Sequence, residues 1–140
     1  MDFYKELQRF PENIKNKFIK KYNEYGCRQE DFIEILNFAK NIPMACIGGQ
    51  LQYQFDDATC ELYWISYDSE KRRYNENWLD YCNRTNNECI KKFNEIINTI
   101  NFNEEAKRGF EYLERKIKQG YDIEKNKVFI LYFNDDEVDS

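Results

Sequence analysis

The stretch Ala45-Cys46-Ile47-Gly48-Gly49-Gln50-Leu51-Gln52-Tyr53-Gln54-Phe55 decides the fold. Ala45, Ile47, Leu51, Tyr53 and Phe55 share one parity, and Gln50, Gln52 and Gln54 take the other. Successive side chains of an extended chain point to opposite faces. The alternation therefore predicts a strand over 44–55, apolar side inward and glutamine side toward water. Gly48-Gly49 interrupts the pattern and marks a bulge or a close backbone approach. Asp56-Asp57-Ala58-Thr59 follows with the composition of a hairpin loop. The chain then returns as a second strand over 60–67. Cys60, Leu62 and Trp64 fall on one face, and Tyr63, Ile65 and Tyr67 on the other. Both faces are largely apolar, so some cover is expected on each.

Outward from this hairpin, helical spacing dominates. Residues 2–25 read as a broken helix. Asp2 caps a first segment with Phe3 and Leu7, and Pro11 suits the first turn of a second. Ile14, Phe18, Tyr22 and Tyr25 recur at steps of four, four and three, one apolar stripe. Lys15, Lys17, Lys20 and Lys21 read as its solvated side, and Gly26 stands where a helix ends. Residues 29–40 form a second helix with Phe32, Ile35, Leu36 and Ala39 inward, stopped by Pro43. A polar loop over 68–75 leads to one long helix over 76–101. Trp78, Cys82, Cys89, Phe93, Ile96 and Ile100 share its inner side, although Thr85 and Glu88 carry a capping-box spacing that would divide it. Asn103, Glu104 and Glu105 suit a further helix start. Its stripe is Ala106, Phe110, Leu113 and Ile117, and Gly120 ends it. Residues 127–133 are a continuous apolar run, the mark of a strand covered on both faces.

The expected fold is thus α+β in the order ααββααβ. A three-stranded, mainly antiparallel sheet, made of the hairpin plus the C-terminal strand, is packed by about four helices. One domain spans 1–134. Residues 135–140 form an acidic tail, expected to be mobile.

Composition narrows function. The chain has 140 residues, 41% of them hydrophobic, 34% charged and 17% aromatic, with a net charge of −5. That length buries about two thirds of the unfolded surface, so no disulfide or metal staple is required. The acidic balance argues against direct nucleic-acid binding and for a basic protein partner. Five cysteines, Cys27, Cys46, Cys60, Cys82 and Cys89, include no CxxC pair. They read as reduced core thiols of a cytoplasmic protein. Neither a signal peptide nor a membrane-spanning run is expected.

Histidine is absent. That removes the usual general base of hydrolases and the commonest transition-metal ligand. Neither a P-loop nor a GxGxxG or GxSxG motif occurs. No cofactor or metal is expected, and the chain reads as a binder rather than an enzyme. Carboxylate chemistry would need two opposed acids beside a sugar cleft. The acids Asp56, Asp57, Glu61, Asp68 and Glu70 lie on or near the hairpin with Tyr63, Trp64 and Tyr67, but acidic loops and core aromatics are common and the pattern is a weak signal of catalysis. Lys71-Arg72-Arg73 could contact phosphate but reads more simply as a solvated loop. Exposed tyrosines beside acids also make a protein-binding surface, because Tyr and Trp often anchor interfaces.

A small, acidic, aromatic-rich chain of this kind resembles the immunity proteins of bacterial toxin systems, including contact-dependent inhibition. The resemblance is one of general character, carried by Asp56, Asp57, Glu61, Tyr63, Tyr67, Asp68 and Glu70. It implies tight binding to a cognate, often basic, nuclease-type toxin domain, which blocks the toxin's active site or its substrate entry. Those families span many folds, so neither topology nor contact residues follow from the likeness. The seven residues are the expected partner-binding surface on their own chemistry, as acids beside tyrosines. Two other readings stand beside it. One is a phage- or mobile-element-encoded inhibitor of a host defence protein. The other is a small-ligand sensor whose pocket is lined by Gly48-Gly49.

Overall fold

A computed structural model describes residues 3–135 of the chain. In chain order the elements are α1 (Glu12–Lys15), β1 (Phe18–Lys21), β2 (Glu24–Cys27), α2 (Phe32–Asn41), β3 (Ala45–Gly48), β4 (Gln50–Gln54), β5 (Thr59–Ser66), α3 (Trp78–Thr99), α4 (Phe102–Gly109), α5 (Glu111–Lys118), β6 (Lys127–Ile130) and β7 (Tyr132–Asn134). Short 3₁₀ turns at Lys5–Arg9, Gln29–Asp31 and Glu124–Asn126 join them. The expected cap at Asp2 and most of the acidic tail lie outside the described residues.

The class is α+β with antiparallel pairing, but the expected three strands become five plus two. One sheet has the order β1-β2-β6-β4-β5, and β3 pairs with β7 in a second. The glycines cause the division. Gly49 packs so tightly that a Cβ there would lie 1.8 Å from the Ile130 carbonyl oxygen, and one on Gly48 would meet Asp68. The chain thus leaves one sheet and enters the other at Gly48-Gly49, packed closely against Tyr67, Asp68 and the Ile130 backbone. The run 127–133 divides in the same way at Leu131.

The apolar stripe at Ile14, Phe18, Tyr22 and Tyr25 does not lie on one helix, and only Ile14 sits on α1. Residues 18–27 form a β-hairpin instead, with Lys21 opposite Glu24 and Tyr22 at the turn with a φ of 57°. The physical reason is remote in sequence. Strand β6 is buried throughout, so its backbone polar groups need partners along both edges. β4 supplies one edge and β2 the other, through Gly26 opposite Ile130 and Cys27 opposite Phe129. A Cβ on Gly26 would sit 2.4 Å from the Phe129 oxygen, so this approach requires glycine.

The single long helix stands as expected, and two further expectations shift. α3 runs unbroken, because Thr85 and Glu88 do not form a capping box. The buried Thr85 hydroxyl accepts from the Cys46 amide at 3.1 Å and donates to the Cys82 carbonyl, while Glu88 pairs with Arg84 at 2.9 Å. The helix expected from Asn103 to Gly120 becomes two, since Phe110 is extended and the Trp64 ring occupies the space beside Gly109. Its cap is Asn101, whose side chain accepts from the Glu104 amide at 3.1 Å. This break raises the expected four helices to five. In β5 the pairing jumps from Leu51–Leu62 to Gln50–Ser66, and residues 63–65 bulge between them. Leu62 and Ile65 are both buried, and Tyr63 and Trp64 both exposed. The strict alternation expected over 60–67 is lost there.

The main core fills one side of the five-stranded sheet. Phe32 of α2 stacks on Phe93 of α3 with ring centroids 3.9 Å apart, and Phe93 packs edge-on to Phe129 of β6 at 5.2 Å. Phe32, Ile35, Leu36 and Ala39 are fully buried, as their spacing requires. Val128 and Ile130 point away from this core, yet they too are buried. Polar side chains from β2, β4 and β5 lie along that second face.

Candidate functional site

The second face of the sheet carries a polar network built by strand register. β1 sets Lys21 against Glu24; β5 sets Glu61 against Gln52 and Thr59 against Gln54. The Gln52 amide donates to Glu24 Oε1 at 3.2 Å and to Glu61 Oε1 at 3.1 Å. Both carboxylate oxygens bond one nitrogen, so they lie within about 6 Å of each other. Gln54 donates in turn to Gln52 Oε1 at 3.1 Å. Tyr132 donates to Glu24 Oε2 at 2.5 Å and accepts from Gln50 at 3.3 Å. Burial, together with that bond to Glu24, pushes the Tyr132 phenol up to about 12. The glutamine face was expected to meet water, but Gln52 is only 1% exposed. Its donors and acceptor are satisfied within the network, which is what makes burial of an amide tolerable.

Above the network lies a shallow cleft of about 430 Å³ whose walls include Tyr22, Tyr63 and Phe110. Tyr22 is 81% exposed and Tyr63 71%. Lys21 also lines the cleft, but its ammonium donates to the Phe55 carbonyl at 2.8 Å and to Thr59 Oγ1 at 2.9 Å. Among the described residues neither Glu24 nor Glu61 forms an ion pair. Two carboxylates are therefore held together by a neutral amide, with no cation from the described residues between them. The arrangement suits recognition of a cationic group.

Of the seven residues expected to form a contact surface, Glu61 and Tyr63 line this cleft. Asp56 and Asp57 sit at the exposed β4–β5 turn. Tyr112 donates to Asp57 at 2.7 Å; that bond lowers the Asp57 carboxyl and pushes the Tyr112 phenol up to about 12. Tyr67 is not a surface residue. It is fully buried against Phe32, and its hydroxyl donates to the Ile130 carbonyl. Asp68 is exposed but accepts from the Gly49 amide at 3.1 Å, and Glu70 donates its backbone N–H to Glu88 at 2.9 Å. The seven do not form one patch. Glu24, Gln52 and Tyr22 also line the cleft, and Tyr132 bonds Glu24 beside it; sequence reasoning missed these four. The misread N-terminal helix hid Glu24 and Tyr22, and the signal for Gln52 was read as solvation.

A second polar cluster holds the basic loop. Arg84 is 14% exposed and binds Glu76 at 2.7 and 2.9 Å, Glu88 at 2.9 Å and the carbonyls of Glu70 and Lys71 at 3.2 and 3.0 Å. This holds the Glu76 carboxyl down at about 2. Arg72 lies over the Trp78 and Tyr81 rings at 5.6 and 5.8 Å. The loop expected to be merely solvated is thus anchored to α3. All five cysteines are buried thiols, and burial pushes Cys27, Cys46 and Cys60 above the usual thiol range.

Among the described residues no group of three or more Cys, Asp or Glu side chains is placed to hold a metal ion, and no helix is long and apolar enough to cross a membrane. Comparison with protein families, curated proteins and solved structures found no match to this chain.

Proposed function

We propose that the chain is a non-enzymatic protein-binding inhibitor, an immunity protein that neutralises a basic, nuclease-type bacterial toxin domain. The observation that carries this reading is the second face of the sheet, where Glu24 and Glu61 are fixed side by side without a cation and flanked by exposed Tyr22 and Tyr63. Tyrosine supplies large contact area at low entropic cost. Carboxylates already locked in place lose little freedom on binding, which favours affinity. A net charge of −5 draws a basic domain toward the surface and raises its association rate. The toxin would be blocked by cover of its cationic substrate-binding surface.

The test is growth protection. Cells expressing any toxin domain encoded beside this chain's gene should be rescued by the chain. Rescue weakens with Glu24→Gln combined with Glu61→Gln. The purified pair associates more slowly as salt rises. Absence of rescue, or binding indifferent to salt, counts against the reading.

A further inference from the structure

The proposed interface leaves open which part of a basic partner it grips. Among the described residues neither Glu24 nor Glu61 pairs with a cation, and Lys21, which lines the same cleft, bonds the Phe55 carbonyl and Thr59 instead. Glu61 Oε2 accepts no hydrogen bond among the described residues, and each Glu24 oxygen, already bonded once, retains acceptor capacity. The acceptors come from two carboxylates rather than one, so a ligand with several divergent donors fits better than a compact one. A guanidinium carries five N–H donors in a rigid plane, whereas an ammonium carries three on one atom. Tyr63 presents an exposed ring at the same cleft, and a planar cation stacks on such a face. The cleft volume of about 430 Å³ accommodates one long side chain.

We infer that this cleft is an arginine pocket: one arginine side chain of the partner lies over Tyr63 and spreads its guanidinium between Glu61 and Glu24. This rests on the inhibitor reading of the same face. It adds the chemical identity of the central contact, with Gln52 and Tyr132 as positioning residues that fix the carboxylates.

The probe is N-acetyl-arginine amide, titrated into the isotopically labelled full chain and followed by NMR. Saturable shifts at the Gln52 side-chain amide and at the Tyr63 ring are expected at millimolar concentrations. The citrulline counterpart, equal in shape but uncharged, gives no such shifts, and the lysine counterpart binds at least threefold more weakly. Glu61→Gln, at an exposed position that leaves the fold intact, weakens arginine binding at least fivefold. Equal response to citrulline, or no saturable shift at Gln52, overturns the pocket. The two proposals fail separately. If arginine binds as described but the chain rescues no cells, the pocket stands and the inhibitor reading falls. If rescue needs Glu24 and Glu61 but arginine gives no shift, the face binds its partner in another way and the pocket falls.

Discussion

Arg84→Met tests the most densely bonded ion cluster among the described residues. The guanidinium joins Glu76, Glu88 and two loop carbonyls, and the Glu76 side chain is only 8% exposed. Its carboxyl is held at about 2 against an ordinary 4.5. At about 1.4 kcal/mol per unit this corresponds to roughly 3 kcal/mol at neutral pH. The carboxylate lies near the molecular surface, where solvent screens such pairs, so the expected loss is about 2 kcal/mol. The folded value is depressed. The contribution is therefore complete above the unfolded value of 4.5 and is lost as pH falls from there through about 2. Urea unfolding of the native chain and Arg84→Met would be compared at pH 7 and pH 3. The stability gap should be about 2 kcal/mol at pH 7 and under about 1 kcal/mol at pH 3. A gap that does not shrink at pH 3, or is negligible at pH 7, would refute the reasoning. A second consequence is local: without Arg84 the Glu70 and Lys71 carbonyls lose their donor, so amide exchange in the 69–77 loop should quicken first.

Gly109→Ala would put a Cβ 2.4 Å from the Trp64 ring. Trp64 is partly exposed and can swing away, so a cost of about 1–2 kcal/mol is expected, with a red shift of tryptophan emission as the ring enters water; an unchanged spectrum would mean that the contact is not maintained in solution. Thiol labelling of the native chain at pH 7.5 should be slow at all five cysteines and rapid once urea unfolds it, because burial both hides the thiols and disfavours thiolate. Fast reaction of Cys60 or Cys82 in the native state would remove those residues from the core.

Local signals were reliable wherever the local choice was also the global one. The inward face of α2, the length of α3, the β4–β5 turn, the stop at Gly120 and the doubly covered C-terminal run all follow from spacing that needs no distant partner. Reading failed where a distant partner decided. The stripe from Ile14 to Tyr25 satisfies helical spacing, yet β6 required a neighbour on its second edge and drew residues 24–27 into the sheet. The candidate site was legible only in part for the same reason. Glu61 and Tyr63 stood out as an acid beside an aromatic. Glu24 is 37 positions from Glu61, and only Gln52, between them in space, joins the two.

By itself the sequence determined the class of fold, the acidic balance, the absence of histidine, the core on α2 and β6, and Cys82, Cys89 and Phe93 on α3. Those are properties of composition and of short-range periodicity. Tertiary structure alone decided that the glycines at 48–49 divide one apparent strand between two sheets, that Tyr67 belongs to the core, and that two carboxylates are joined through one buried amide. Each of these depends on hydrogen bonds between segments far apart in the chain, and periodicity holds no record of which segment a strand will find beside it.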